Sequence, residues 1–177
     1  VREVEITTGK AKREYKMPKE YFGEGCQLVG DRLFQLTWTN HKGFVYNFAD
    51  FTKVGEWTYD HEGWGLAYDS TNLILSDGSA KLRFLNPRTY TVVKTVEVKD
   101  NGVPIDNLNE LEMVKGELFA NIWQTDSIAR INPVTGNVNG WLVLKGLLPD
   151  SERNRYPYID VLNGIAYDAA GDRFFVT

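Results

Sequence analysis

Cysteine and histidine are nearly missing from this chain, and their scarcity narrows its chemistry first. Of 177 residues, one is Cys (Cys26) and two are His (His41 and His61). A single cysteine excludes an internal disulfide. With only two histidines beside it, a thiolate or imidazole zinc centre lacks ligands, so no metal and no cofactor is expected. Cys26 itself reads as a small buried hydrophobe. Positive charge is also short: 20 Lys and Arg stand against 24 Asp and Glu, for a net charge of −4. That balance argues against a nucleic-acid partner. The densest basic stretch, Lys10-Ala11-Lys12-Arg13, alternates with strand-like residues and reads as a solvated sheet edge. No apolar run approaches the ~20 residues of a membrane span. No secretory leader pattern stands at Val1, but the chain has no Met there either, so that absence carries no weight.

What is present is an ordinary globular balance, 42% hydrophobic and 25% charged, with 13% aromatic residues and five tryptophans. Any catalysis must therefore rest on carboxylates, amides, lysines and rings.

The chain repeats itself. The segment 27–38 lines up with 65–75 and with 112–123. A fourth copy runs from Gly164 to Asp168 and from Asp172 to Thr177. In each, a short apolar strand enters a Gly, Asp or Asn turn and a second strand leaves it, which is a hairpin signal. A second kind of segment follows the first three copies: 45–51, Leu82 to Thr89 and Ile128 to Gly136. Here an alternating strand meets a turn with Asn, Asp or Pro, twice as Asn-Pro (Asn86-Pro87 and Asn132-Pro133), which starts a turn because proline presets φ and the Asn side chain bonds the local backbone. The opening Val4 to Gly9 matches Ile131 to Gly136, so it resembles the outer part of such a unit. Four strands per repeat, a spacing near the ~40–50 residues of a propeller blade and almost no helical periodicity favour an all-β β-propeller of four-stranded blades. The expectation is one propeller domain over 1–177 that holds about four blades at roughly 45 residues each, starts and stops mid-blade and is incomplete as a ring. Two connections break the rhythm: 99–108, with Asn101-Gly102 and Pro104, and 145–162, with Pro149 and Pro157. Long loops of this kind either shape a binding face or are simply exposed.

Propeller strand ends converge, so residues flanking the innermost strands face a shared mouth. Those positions hold Phe22, Glu24, Trp38, Trp64, Asn109, Glu110, Trp123 and Asn163. Trp38 and Trp123 occupy the same register in two repeats. The plainer reading of any one tryptophan is core packing, and of an isolated Asn a turn. Glu62-Gly63-Trp64-Gly65 repeats the Glu-Gly pattern of Glu24-Gly25, so one of the two glutamates is open to a structural role. Several aromatics beside a glycine-flanked carboxylate nonetheless point to a site.

In their order along the chain, Phe22-Gly23-Glu24-Gly25, Leu36-Thr37-Trp38, Glu62-Gly63-Trp64-Gly65-Leu66, Ser76-Asp77-Gly78-Ser79, Asn109-Glu110-Leu111-Glu112, Ala120-Asn121-Ile122-Trp123 and Leu162-Asn163-Gly164-Ile165-Ala166 resemble the glutamine cyclotransferases of the plant and bacterial type. The resemblance runs along essentially the whole chain. It implies a five-bladed β-propeller and a glutaminyl-peptide cyclotransferase, a zinc-independent acyltransferase that turns the N-terminal glutamine of a peptide into pyroglutamate and releases ammonia. Position by position, Glu24 is similar to the family's catalytic glutamate. Phe22, Trp38, Trp64 and Trp123 are similar to its aromatic pocket, and Asn109 to its substrate-binding asparagine. A Phe-Thr-Gln-Gly and a Thr-Gly-Lys segment of the family fall outside this sequence. The resemblance further implies peptide or protein substrates with N-terminal glutamine, a monomer, and a secreted or periplasmic location. Two rival readings stand beside it. One is a metal-dependent propeller lactonase or hydrolase, in which Glu24, Asn109 and Asn163 imitate a hard-cation set. The other is a propeller that binds peptides without turning them over.

Overall fold

The computed structural model describes residues 1–156 and 158–177; Pro157, one of the prolines of the second long connection, lies outside the described residues. The chain forms two compact units, Val1–Gly63 and Trp64–Thr177.

The first unit begins with a two-stranded hairpin, β1 (Arg2–Val4) and β2 (Ala11–Glu14), and continues as a four-stranded antiparallel meander. Its strands are β3 (Gly23–Val29), β4 (Arg32–Thr37), β5 (Lys42–Asn47) and β6 (Lys53–Thr58). This is the first propeller blade. Leu33, Phe44, Tyr46 and Phe51 form its buried cluster, covered by Val1, Tyr15, Met17, Tyr21 and Phe48. On the other face Phe34 meets Trp57 edge-on at 6.0 Å between ring centroids. Trp57 lies so close over Gly43 that any Cβ there would sit 2.1 Å from the indole. The basic stretch at 10–13 is more than a solvated edge. The Arg13 guanidinium donates to the carbonyls of Phe48 and Ala49, both at 2.6 Å, and lies 4.2 Å from the Phe51 ring centroid. Cys26 is also not the buried hydrophobe expected from its type: it is exposed.

The second unit holds two further meanders. The second blade comprises β7 (Leu66–Tyr68), β8 (Leu73–Leu75), β9 (Lys81–Leu85) and β10 (Val92–Glu97). A short ribbon follows, β11 (Lys99–Asp100) with β12 (Val103–Pro104), turned by Asn101 and Gly102 at φ 49° and 85°. These positive angles are what a two-residue hairpin needs and why Asn-Gly marks it. The third blade comprises β13 (Leu108–Val114), β14 (Glu117–Ile122), β15 (Ser127–Ile131) and β16 (Val138–Val143). The second long connection carries only the short helix α1 (Asp150–Arg155), and β17 (Ile165–Asp168) with β18 (Arg173–Val176) closes the described structure as a hairpin.

Strand β14 is buried from Leu118 to Ile122 and apolar at the consecutive residues Leu118, Phe119 and Ala120. Leu118, Ala120 and Ile122 join Ile74, Leu82 and Phe84 of the second blade in one core cluster. Phe119 points the other way, into a cluster with Ile128, Ile165 and Phe174. A sheet buried on both faces has no solvent side and loses polar alternation.

The repeated turn between the third and fourth strands is the same in three blades, and it recurs in the opening hairpin. In each copy a backbone N–H donates back four residues at 2.8 Å: Gly9 to Glu5, Phe51 to Asn47, Tyr90 to Asn86 and Gly136 to Asn132. The donor residue always has positive φ, at 69°, 59°, 58° and 78°. The Asn47, Asn86 and Asn132 side chains each accept the N–H two residues on, at 2.8–3.0 Å. The match between Val4–Gly9 and Ile131–Gly136 is therefore geometric as well as compositional.

Candidate active site

The innermost strands of the first and third blades open with the same irregularity. In β3, Gly23 pairs with Thr37 and Cys26 with Gln35, so Glu24 and Gly25 stand opposite the single residue Leu36. In β13, Leu108 pairs with Ile122 and Leu111 with Ala120, so Asn109 and Glu110 stand opposite Asn121. Two residues against one is a β-bulge, which re-aims a side chain out of the ladder. Just outside each bulge the Trp N–H is fixed: Trp38 donates to the Phe22 carbonyl at 3.0 Å and Trp123 to that of Asn107 at 2.9 Å. Glu24 and Asn109 thus occupy equivalent positions in two blades, as do Trp38 and Trp123.

In the first unit, the bulge brings Phe22, Glu24 and Trp38 together. Phe22 and Trp38 meet edge-on at 6.1 Å, and both rings remain open to solvent, 64% and 43% exposed. They are not core. The Glu24 carboxyl is half-buried, and its pKa is pushed up to about 7, first by burial and then by the charge of Glu62. Glu62 is held by the Trp38 indole, whose Nε1–H donates to its Oε2 at 2.7 Å. Below them the Tyr59 hydroxyl accepts the Thr37 N–H at 3.0 Å and stands 2.7 Å and 2.8 Å from the Thr37 and Lys42 carbonyls, to either of which it can donate. Tyr59 is itself shifted upward, mainly by burial and in part by Glu24. Gln35, on the strand beside the bulge, is buried with its Oε1 lacking a protein partner among the described residues.

In the second unit, Trp64, Asn109 and Trp123 are brought together by Ser76, a residue that sequence reasoning left without a role. Ser76 is fully buried. Its hydroxyl accepts the Gly65 N–H at 2.8 Å and donates to the Asn109 carbonyl at 2.7 Å. Its carbonyl accepts the Trp64 N–H at 3.0 Å. Gly65 is obligatory here, since a Cβ would lie 2.0 Å from the Asn109 carbonyl oxygen. Gly78, at φ 83°, is the floor under the Trp64 ring, which would be 2.6 Å from a Cβ there. Trp64 and Trp123 then meet edge-on at 5.4 Å. Asn109 is only 7% exposed and sits in a strand, so the turn reading for it is set aside. The same frame recurs at the fourth copy: Asn163 N–H donates to the Thr177 carbonyl at 2.9 Å and Thr177 N–H to that of Gly164 at 3.2 Å, as Trp64, Ser76 and Gly65 do. Asn163 holds the register position of Trp64. The signal that could have singled out Ser76 is its place one residue past an all-apolar strand, where a hydroxyl has to be satisfied internally.

The meanders are blades of an all-β propeller; in the first unit the start of an innermost strand presents a poised carboxyl beside two exposed rings, and in the second unit another presents a buried amide beside two tryptophans. A family model for glutamine cyclotransferase matches residues 1–177, and the chain belongs to that family. It is 43% identical over 182 residues to a glutaminyl-peptide cyclotransferase of Arabidopsis thaliana, covering 100% of this chain and 56% of that protein. The chain thus spans about half the length of the curated relative it matches. Among solved structures it is similar to the glutaminyl cyclase of Myxococcus xanthus, with a TM-score of 0.92 and 33% identity over 99% of this chain and 75% of that one. A protein of unknown function from Bacteroides caccae shares the fold alone, with a TM-score of 0.59 and 10% identity over 98% of this chain and 59% of that one.

Proposed function

We propose that the protein carrying this chain is a glutaminyl-peptide cyclotransferase, with Glu24 as its proton-transfer group. The substrate's α-amine, in its neutral form, attacks the carbon of its own γ-carboxamide. A C–N bond forms, the five-membered lactam closes, and the amide C–N bond breaks to release ammonia. Glu24 takes the proton of the attacking nitrogen and gives it to the leaving nitrogen. A general acid/base works best with a pKa near the working pH. The observation that carries the reading is the bulge at Glu24: it turns the carboxyl out of the ladder into a half-buried place with a pKa near 7, beside the exposed rings of Phe22 and Trp38. Rings that fold the flexible glutamine side chain supply proximity. Asn109, an amide on the equivalent bulge, is suited to holding the substrate carbonyl or its developing oxyanion.

In this reading the substrates are peptides or proteins with N-terminal glutamine, supported by kinship with the Arabidopsis glutaminyl-peptide cyclotransferase, and the protein acts as a monomer in a secreted or periplasmic location. The proposed route assigns proton transfer to Glu24 and draws on no zinc ion. The test is ammonia release from a glutaminyl dipeptide, with Glu24→Gln as the control. Release at the wild-type rate by the Gln variant overturns the assignment of Glu24. Binding of the dipeptide with no release by either protein would favour a peptide-binding propeller instead.

A further inference from the structure

Glu62 is a charged group beside Glu24 that the reaction above leaves unused. It sits in a tightly built segment. The N–H of the next residue, Gly63, donates to the Trp38 carbonyl at 3.1 Å, while the Glu62 carboxylate accepts the Trp38 indole N–H at 2.7 Å. Two consecutive residues therefore hold Trp38 by backbone and by ring. The segment cannot slide, because a Cβ at residue 63 would lie 2.6 Å from the Tyr59 hydroxyl and 2.8 Å from the Thr37 carbonyl. Titratable groups packed along this segment include Tyr59, His61 stacked on it at 5.1 Å, and His41, whose Nδ1 lies 2.6 Å from the His61 carbonyl. A tryptophan–carboxylate bond at a protein surface is usually incidental. Here one end of it is the wall of the site and the other is the second carboxylate facing Glu24.

We propose that Glu62 is a positioning residue of the cyclisation site, fixing the Trp38 ring edge-on to Phe22 and keeping a second negative charge beside Glu24. The proposal rests on the cyclotransferase reading. The two effects separate by chemistry. A ring free to turn about χ2 no longer holds the folded glutamine side chain, and the loss appears in KM. Removing the like charge makes Glu24 easier to ionise, so the acid limb of activity moves to lower pH.

The experiment is ammonia release from a glutaminyl dipeptide between about pH 5 and 9, by the wild-type protein and by E62Q, E62A, W38F and E24Q, each with a thermal melt. E62Q keeps an acceptor for the indole and removes only the charge. Its acid limb of kcat/KM is expected to fall by roughly half a pH unit, with KM nearly unchanged. W38F removes the indole N–H and keeps the charge; its KM rises about three- to tenfold with the acid limb in place. E62A shows both effects. If E62A does not fold, the near-isosteric E62Q carries the test. Folded E62Q and E62A with wild-type KM and wild-type pH profile, beside an active wild type and a dead E24Q, overturn the role of Glu62 and leave the function standing. No ammonia from the wild type, or full activity in E24Q, overturns both.

Discussion

The first and third blades carry the same bulge at the start of the innermost strand, yet they fill it differently. Glu24 and Asn109 are equivalent in register, and each is followed past the facing strand by a tryptophan whose N–H is tied in the same way. In the first blade the bulge presents a carboxyl and leaves it half-buried; in the third it presents an amide, almost fully buried. The flanks differ too. A Cβ at Gly23 would meet the flexible tips of Met17 and Gln35, whereas one at Gly65 would meet the Asn109 backbone carbonyl. One copy is soft around an ionisable group and the other is stiff around a neutral one. That division suits proton transfer at the first and fixed hydrogen bonding at the second. A repeated backbone thus sets position, and the residue on it sets chemistry.

The comparison can be broken most directly by making the bulges chemically alike. Glu24→Gln puts an amide on both, and turnover in the ammonia assay is expected to fall by about 10²–10⁴, with the circular dichroism spectrum unchanged. Next comes the stiffness of the third-blade bulge. Gly65→Ala drives a methyl group into the Asn109 carbonyl and is expected to cost about 3 kcal/mol in urea unfolding, while Gly23→Ala costs less than about 1 kcal/mol; equal costs would show that the two flanks do not differ. Asn109→Ala should lower kcat/KM by roughly ten- to a hundredfold without moving the acid limb of the pH profile, because the amide does not titrate.

The smallest effect concerns stability and pH. The folded Glu24 pKa is raised from 4.5 to about 7, so the folded protein binds this proton more tightly than the unfolded chain does. The free-energy penalty of ionising it is therefore absent below about pH 4.5 and fully present above about pH 7. Glu24→Gln should match the wild-type Tm near pH 4 and exceed it at pH 8. Because the group is partly solvated, the difference should be only about 2–4 °C. A Glu24→Gln protein melting below the wild type at pH 8 would mean that the carboxylate is stabilised in the fold.

Much of this was legible in the chain. The Asn-Pro turns, the Asn101-Gly102 ribbon and the match of Val4–Gly9 to Ile131–Gly136 follow from local chemistry, since φ and side chain-to-backbone bonding are set within five residues. Trp38 and Trp123 were visible as register equivalents for the same reason. Cys26 was misread because residue type alone does not say which face of β3 it occupies. Ser76 and Glu62 were missed as working parts because their partners are distant in sequence: Asn109 lies 33 residues from Ser76, and Trp38 lies 24 from Glu62.

The sequence by itself determined the blades, their turns and the residues that flank the innermost strands. These depend on period, propensity and the few residues that tolerate positive φ, all of which are local. Only the tertiary structure decided that Glu24 is a carboxyl with a pKa near 7 and not an ordinary solvated glutamate. Burial and the nearness of Glu62 raise it, and both depend on how strands far apart in the chain are laid side by side.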